Sequence, residues 1–457
     1  MAKLTAKAAN NEEIAKHLSE AIQFKTISHF DPAQFDSKEF LGLHAYLEKT
    51  FPRVHAALTK EIVGELSLLY TWKGQEDGLK PILLMAHTDV VPVESGTEGD
   101  WIYPPFDGRI AEDYVWGRGA LDDKFSVLGI LEAVEALLEE GVQPKRTILL
   151  AFGHDEEVGG HNGATEIVAF LRSRGVELEY VIDEGMAVTE GIIPGISTPV
   201  ALIGLTEKGG ALLELTTEIT GGHSLGTAQL TSVGILSTAI HKLEQYRFPP
   251  RLTGPIRQMF STLAPKMPFL LRMVLGNLWI SGGLVKRQLA SSKTTEAAIR
   301  TTVMATAFNG SGEMAWAPPL RSTAVVRLSV LPGDSIDDSL ERIRQIIGDP
   351  RVHIRVMKEL PCREPSPVST TSSWSYDVIQ RTISQVFPGI LVAPSITTAG
   401  TDSRHYTELS DNIYRFMPLL VNSEDLQRIH GINERLSLEN CGKIVEFYIQ
   451  LIRNSAL

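Results

Sequence analysis

The sequence predicts an α/β fold in which a larger domain on a mostly parallel sheet is interrupted by a smaller α+β domain. Three observations predict it. Segments 81–86 (PILLMA) and 147–152 (TILLAF) are short, continuously apolar runs, as strands buried on both faces are. Helix-like segments alternate with them, which is the pattern of strands joined by crossover helices. Near residue 207 the pattern changes to half-exposed alternation, beginning with 211–220 (ALLELTTEIT).

Taken in order, Asn11–Ile22 reads as a helix with Ile14, Leu18 and Ile22 on one face. After the strand at 81–86, residues 124–140 have helical periodicity and close at Gly141. The strand at 147–152 is followed by a helix over 165–174 and a strand over 179–182. In the second region, the strand at 211–220 leads into an amphipathic helix, Ser232–Gln245. An irregular, helix-prone insert over 249–300 follows. Strands at 299–307 and 323–330, a helix at 335–347 and a strand at 352–357 complete the region. That order, βα(insert)ββαβ, is the split-βαβ arrangement of a ferredoxin-like domain. Residues 361–367 (PCREPSP) read as a linker, after which helix, strand and helix resume. The expected organisation is a larger domain formed by 1–206 and 361–457, with 207–360 as the inserted domain.

The chain has 457 residues, with 43 Lys+Arg against 55 Asp+Glu and a net charge of −12. Such a balance argues against a nucleic-acid binder, which needs a basic face, but still admits a small anionic substrate in a local cationic pocket. Two cysteines, Cys362 and Cys441, exclude a disulfide scaffold and an all-cysteine metal site. The N-terminus has no apolar signal-like run, and the most apolar stretch, 268–284, is interrupted by Arg272 and Asn277. The expectation is a soluble, cytoplasmic protein with no membrane span.

Sites in open α/β sheets lie at the C-terminal ends of parallel strands. Four such places carry acidic or imidazole groups: His87-Thr88-Asp89, the turn 117–124 with Asp122 and Asp123, His154-Asp155-Glu156-Glu157, and Asp183-Glu184-Gly185. Singly, each has an ordinary structural reading as a hydrogen-bonding histidine, a helix cap or solvated surface. Together, at the strand ends of one sheet, carboxylates and imidazole suit a hydrolase that uses divalent metal.

The ordered series HTDVVP, WGRGALDDK, GHDEEVGG, DEG, TGGHS, GTDSRHY and HGINE resembles the co-catalytic di-zinc peptidase family. That family includes aminoacylase, carboxypeptidase S, glutamate carboxypeptidase and succinyl-diaminopimelate desuccinylase. The resemblance is greatest to the branch with carboxypeptidase S and the N-fatty-acyl-amino-acid hydrolases. It implies a catalytic domain, a lid domain and two Zn²⁺, with Co or Mn as possible substitutes. His87 and Asp183 would hold one ion, Glu157 and His430 the other, and Asp122 would bridge them. Glu156 would be the general base and Asp89 the carboxylate behind His87. His223 would reach over from the inserted domain, on domain closure, to polarise the scissile carbonyl. Arg404 and Lys208 are the expected contacts of a substrate carboxylate. His405 is the rival for the His430 position. The implied partners are a small amide or peptide substrate and a second copy of the chain.

Two positions depart from the family pattern. Trp316 stands where an asparagine is usual and Ser329 where an arginine is usual. Loss of a bidentate carboxylate partner points to a bulkier or more apolar amide substrate, on which Trp316 would stack. The alternative is that Trp316 only packs the inserted domain. Leu270, Leu271, Val274, Leu275, Leu278 and Trp279 follow helical spacing, to be read as core or subunit contact or as the wall of an acyl-chain site. Two rival functions are a serine hydrolase using Ser224 in Gly222-His223-Ser224-Leu225-Gly226, and a non-catalytic binding module.

Overall fold

The architecture follows from two sets of strands with different burial. A computed structural model describes residues 11–193, 196, 198–219, 231–310, 319–357 and 362–457. Ile82–His87 and Ile148–Gly153 are buried along their whole length and pair in parallel near the middle of a ten-stranded sheet. Tyr180–Asp183 and Ile413–Arg415 extend that parallel centre. Antiparallel pairs flank it, Ser67–Trp72 with Ile148–Gly153 on one side and Ile413–Arg415 with Val200–Glu207 on the other, and Leu391–Thr397 then pairs in parallel with Val200–Glu207. The sheet is therefore mixed, with parallel pairing where the sequence shows continuous apolar runs.

Helix Lys124–Glu139 lies under this sheet and packs closely on the C-terminal helix Leu438–Ala456. A Cβ at Gly129 would come within 2.6 Å of Ile444 Cγ1, so glycine permits that approach. Both helices contribute to the largest apolar cluster, which also contains Ile14, Leu18 and Ile22 of the first helix.

Gly209–Glu218, Thr302–Asn309, Arg321–Val330 and Val352–Val356 form a separate antiparallel sheet of four strands. In chain order they lie 4-1-3-2 across it, the split-βαβ topology. Alternate residues of Gly209–Glu218 are buried, and helices Ser232–Gln245 and Ile336–Ile347 cover that face. The insert is helical: Gly254–Leu263, Phe269–Gly276, Leu278–Leu289 and Lys293–Ala297. Its first helix packs against Leu391–Thr397 of the large sheet. Among the described residues, no single helix is long and apolar enough to cross a membrane.

Candidate metal centre and substrate cleft

His87 is the last residue of its strand and is buried. Its Nδ1 lies 3.0 Å from the Asp89 carbonyl oxygen and 3.3 Å from Asp89 Oδ1, which directs Nε2 outward. That nitrogen sits 3.0 Å from Asp122 Oδ1 and 3.6 Å from Glu184 Oε1. Asp89 itself is fully buried, accepting from Ser28 Oγ at 2.6 Å and from the backbone N–H groups of Glu156 and Glu157 at 3.2 and 3.1 Å.

Asp122 follows a turn that only glycine supports. Gly119 has φ +90°, and a Cβ there would meet Val90 Cγ1 at 2.9 Å. Glu434 holds the turn from the other side. Its Oε1 accepts the N–H groups of Gly119, Leu121 and Asp122 at 3.0, 2.7 and 3.2 Å, and its Oε2 pairs with Arg118 at 2.7 Å. The Asp122–Asp123 peptide is cis. The second oxygen of Asp122, Oδ2, lies 3.0 Å from His430 Nε2, which is also 3.1 Å from the Glu157 carboxylate.

Two groups of potential ligands result, His87–Asp122–Glu184 and Asp122–Glu157–His430, sharing Asp122 with one oxygen towards each side. Burial pushes the carboxyls of Glu156, Glu157 and Glu184 upward, that of Glu184 to about 8, with neighbouring carboxylates adding to it. Hydrogen bonds that His430 donates to the carboxylates of Asp122 and Glu157 push it up to about 10. A cluster so short of positive charge, with imidazole and carboxylate donors converging from two sides, fits a pair of divalent cations.

The structure differs from the sequence expectation in which of the adjacent acidic residues, Asp183 or Glu184, stands nearer His87. Asp183 does not join the His87 group; Glu184 does. Asp183 ends its strand on the buried side and accepts the Ser403 N–H at 2.9 Å, whereas the next residue emerges beyond the strand end into the cleft. His430, rather than its rival His405, stands beside Glu157. His405 Nδ1 is 3.1 Å from Thr165 Oγ1 and its Nε2 3.1 Å from the Gly159 carbonyl, and burial near Arg363 and Arg404 lowers it to about 3.

The metal-ligand groups open into a cleft of about 700 Å³ between the two sheets. Arg404 lines it, and its buried Nε has no hydrogen-bond partner among the described residues. Lys208 forms part of the wall, but its Nζ donates to the carbonyls of Ala297 and Arg300 at 3.1 and 2.9 Å. These two bonds tie the end of the insert to the cleft. Ser329 and Arg327, two residues apart on one strand face, line the opposite wall. His223, Ser224 and Trp316 lie outside the described residues.

Three contributors had no role in the sequence reading. Arg363 lies in the segment read as a linker. Its backbone pairs with Gly210 through two hydrogen bonds of 2.8 Å, and its guanidinium donates to the Gly159 carbonyl while lining the cleft. No motif marks it. Asp402 is buried, both its oxygens lack partners among the described residues, and a Cβ at Gly153 or Gly160 would collide with them. Glu434 could have been found, since it ends the HGINE motif that supplies His430.

Comparison with known proteins agrees with this geometry. The model of the family "Peptidase family M20/M25/M40" matches residues 83–454. The chain is 42% identical to the probable carboxypeptidase S-like 2 of Dictyostelium discoideum, over 97% of this chain and 85% of that protein. It is 40% identical to the N-fatty-acyl-amino acid synthase/hydrolase PM20D1 of Xenopus tropicalis, over 97% and 86%. Human carnosine dipeptidase 1 shares the fold, with a TM-score of 0.68 at 15% identity over 97% of this chain and 96% of that one. So does Bacillus subtilis YXEP, described as a dinuclear metal-binding peptidase, with a TM-score of 0.56 at 11% identity over 96% and 98%. The chain belongs to peptidase family M20/M25/M40 and is a metal-dependent amide-bond hydrolase of that family.

Proposed function

We propose that the protein cleaves the amide bond of an N-acyl amino acid or a related amide, using two zinc ions held by His87, Asp122, Glu184, Glu157 and His430. The observation that carries this is the polarity of the cleft. Two groups of potential metal ligands sharing Asp122 line it together with Arg404, whose buried Nε has no hydrogen-bond partner among the described residues. A substrate with an amide beside a carboxylate fits both features. The names of the relatives quoted above, a carboxypeptidase and an acyl-amino acid hydrolase, support the same bond type.

When bound, the two ions supply Lewis acidity to the scissile carbonyl and lower the pKa of a water. The chain's own groups do the rest. Glu156 accepts the water's proton and returns it to the leaving amine. Asp89 fixes the turn that carries Glu156 and the tautomer of His87. His223 polarises the carbonyl oxygen from the inserted domain. Ser329, where the family has an arginine, leaves more room and less charge in the cleft wall, in favour of a bulkier or more apolar acyl group. Trp316 would stack on it.

Metal analysis coupled to a screen of N-acyl amino acids, dipeptides and simple amides tests the proposal. Two equivalents of zinc, loss of activity with EDTA, its return with zinc, and a preference for N-acyl amino acids are expected. Activity indifferent to EDTA but abolished by a fluorophosphonate would transfer the reaction to Ser224.

A further inference from the structure

The insert is chemically unlike the rest of the chain. Residues 251–300 contain eight Lys or Arg and one acid, Glu296, in a protein of net charge −12. Arg251 pairs with Asp334 and Arg300 with Glu296. Among the described residues no carboxylate pairs with Arg257, Lys266, Arg272, Lys286 or Arg287.

Among the described residues, the same insert carries the most exposed large apolar side chains. Helices Phe269–Gly276 and Leu278–Leu289 meet at 107°. Their inner sides put Leu275 and Val285 into a cluster with Leu202 and Ala393 of the large sheet. Their outer sides leave Phe269, Leu270, Met273, Trp279, Ile280 and Leu284 exposed, Leu270 by 76% and Trp279 by 84%. The helical periodicity is thus only partly core. Apolar surface in this concentration marks a contact surface.

We propose that this bent helix pair docks the protein on an anionic lipid surface, with the outer apolar side chains entering the acyl boundary and the cations at their rim meeting headgroups. The charge decides between occupants. A two-fold contact with a second copy would bring this patch against itself, strongly basic against strongly basic. An anionic bilayer complements both the apolar face and its basic rim. The overall acidity of the chain, repelled by such a surface, would orient the insert towards it. Docking also has a route to the cleft, because the last helix of the insert is where Lys208 anchors. The inference is independent of which amide is cleaved.

Flotation of the full chain with vesicles tests it. Binding to phosphatidylglycerol/phosphatidylcholine vesicles is expected to exceed binding to phosphatidylcholine alone by about tenfold or more, and to fall as salt is raised. L270S/W279S should abolish flotation, and R272E/R287E should remove the preference for anionic vesicles. Both variants should keep the circular dichroism, the Tm and the turnover of a soluble substrate. Equal binding to neutral vesicles, no binding, or flotation unaffected by L270S/W279S would overturn the proposal. So would a wild-type dimer that L270S/W279S converts to monomer in sedimentation velocity, which would assign the face to a second copy.

Discussion

Asp89 Oδ1 accepts the backbone N–H of Glu156 at 3.2 Å, so the carboxylate behind His87 also anchors the turn that carries the proposed base. Asn in place of Asp89 keeps the shape but presents an N–H₂ to one of the two backbone donors, Glu156 or Glu157. It also removes the charge that holds the His87 tautomer. Asp89→Asn should therefore lower both kcat and zinc affinity by about 10–100-fold, the usual effect of losing a carboxylate behind a metal-bound histidine. Steady-state kinetics with zinc titration by calorimetry reads both. A drop in kcat alone would confine Asp89 to positioning Glu156.

The neighbouring pair Asp183 and Glu184 should separate cleanly. Glu184→Ala removes a group 3.6 Å from His87 Nε2, and the purified variant should hold fewer than two metal equivalents by mass spectrometry. Its activity should fall by more than the about 100-fold typical of a supporting residue. Asp183→Ala leaves the Ser403 N–H without its buried acceptor and should cost about 1–3 kcal/mol of stability at full metal content. The opposite pattern would restore Asp183 as the ligand.

That pair also shows where legibility in the sequence ends. The DEG motif marks a site, because acidic residues after an apolar run are unusual, but which of two adjacent carboxylates enters the cleft depends on the residue at which the strand stops. His87, Asp122, Glu157 and His430 come together because each sits at a strand end or a turn whose direction the local pattern dictates. Arg363 carries no such signal: it reaches the cleft through a bridge to Gly210, a contact between distant segments. Trp279 shows the converse limit. Helical periodicity marks an apolar face but not whether the fold covers it.

Glu156 and Glu157 make a second pair with distinct expected outcomes. Glu156→Gln preserves volume and removes only the proton acceptor. It should lower kcat by about 100–10,000-fold with KM and metal content close to wild type. Glu157→Gln, beside His430 at 3.1 Å, should instead release one metal equivalent. Zinc supplementation should partly rescue Glu157→Gln and leave Glu156→Gln unchanged. Rescue of both would place Glu156 among the ligands.

His44 provides a pH prediction that is independent of the metal centre. It is buried, its Nε2 has no partner among the described residues, and burial, with Lys60 nearby, lowers it from 6.5 to about 4. Between those two values the unfolded chain binds a proton that the folded chain does not, so this group's contribution to stability decreases as pH falls from 6.5 towards 4 and is unchanged above about 7. The full shift corresponds to at most about 3 kcal/mol. Other buried groups titrate over the same range, so the readout is the difference between wild type and His44→Leu. Urea unfolding at pH 7.5 and pH 5 should show His44→Leu losing less stability on acidification than wild type. Equal losses in the two proteins would mean that His44 is protonated in the folded state, with a partner or water that relieves its burial.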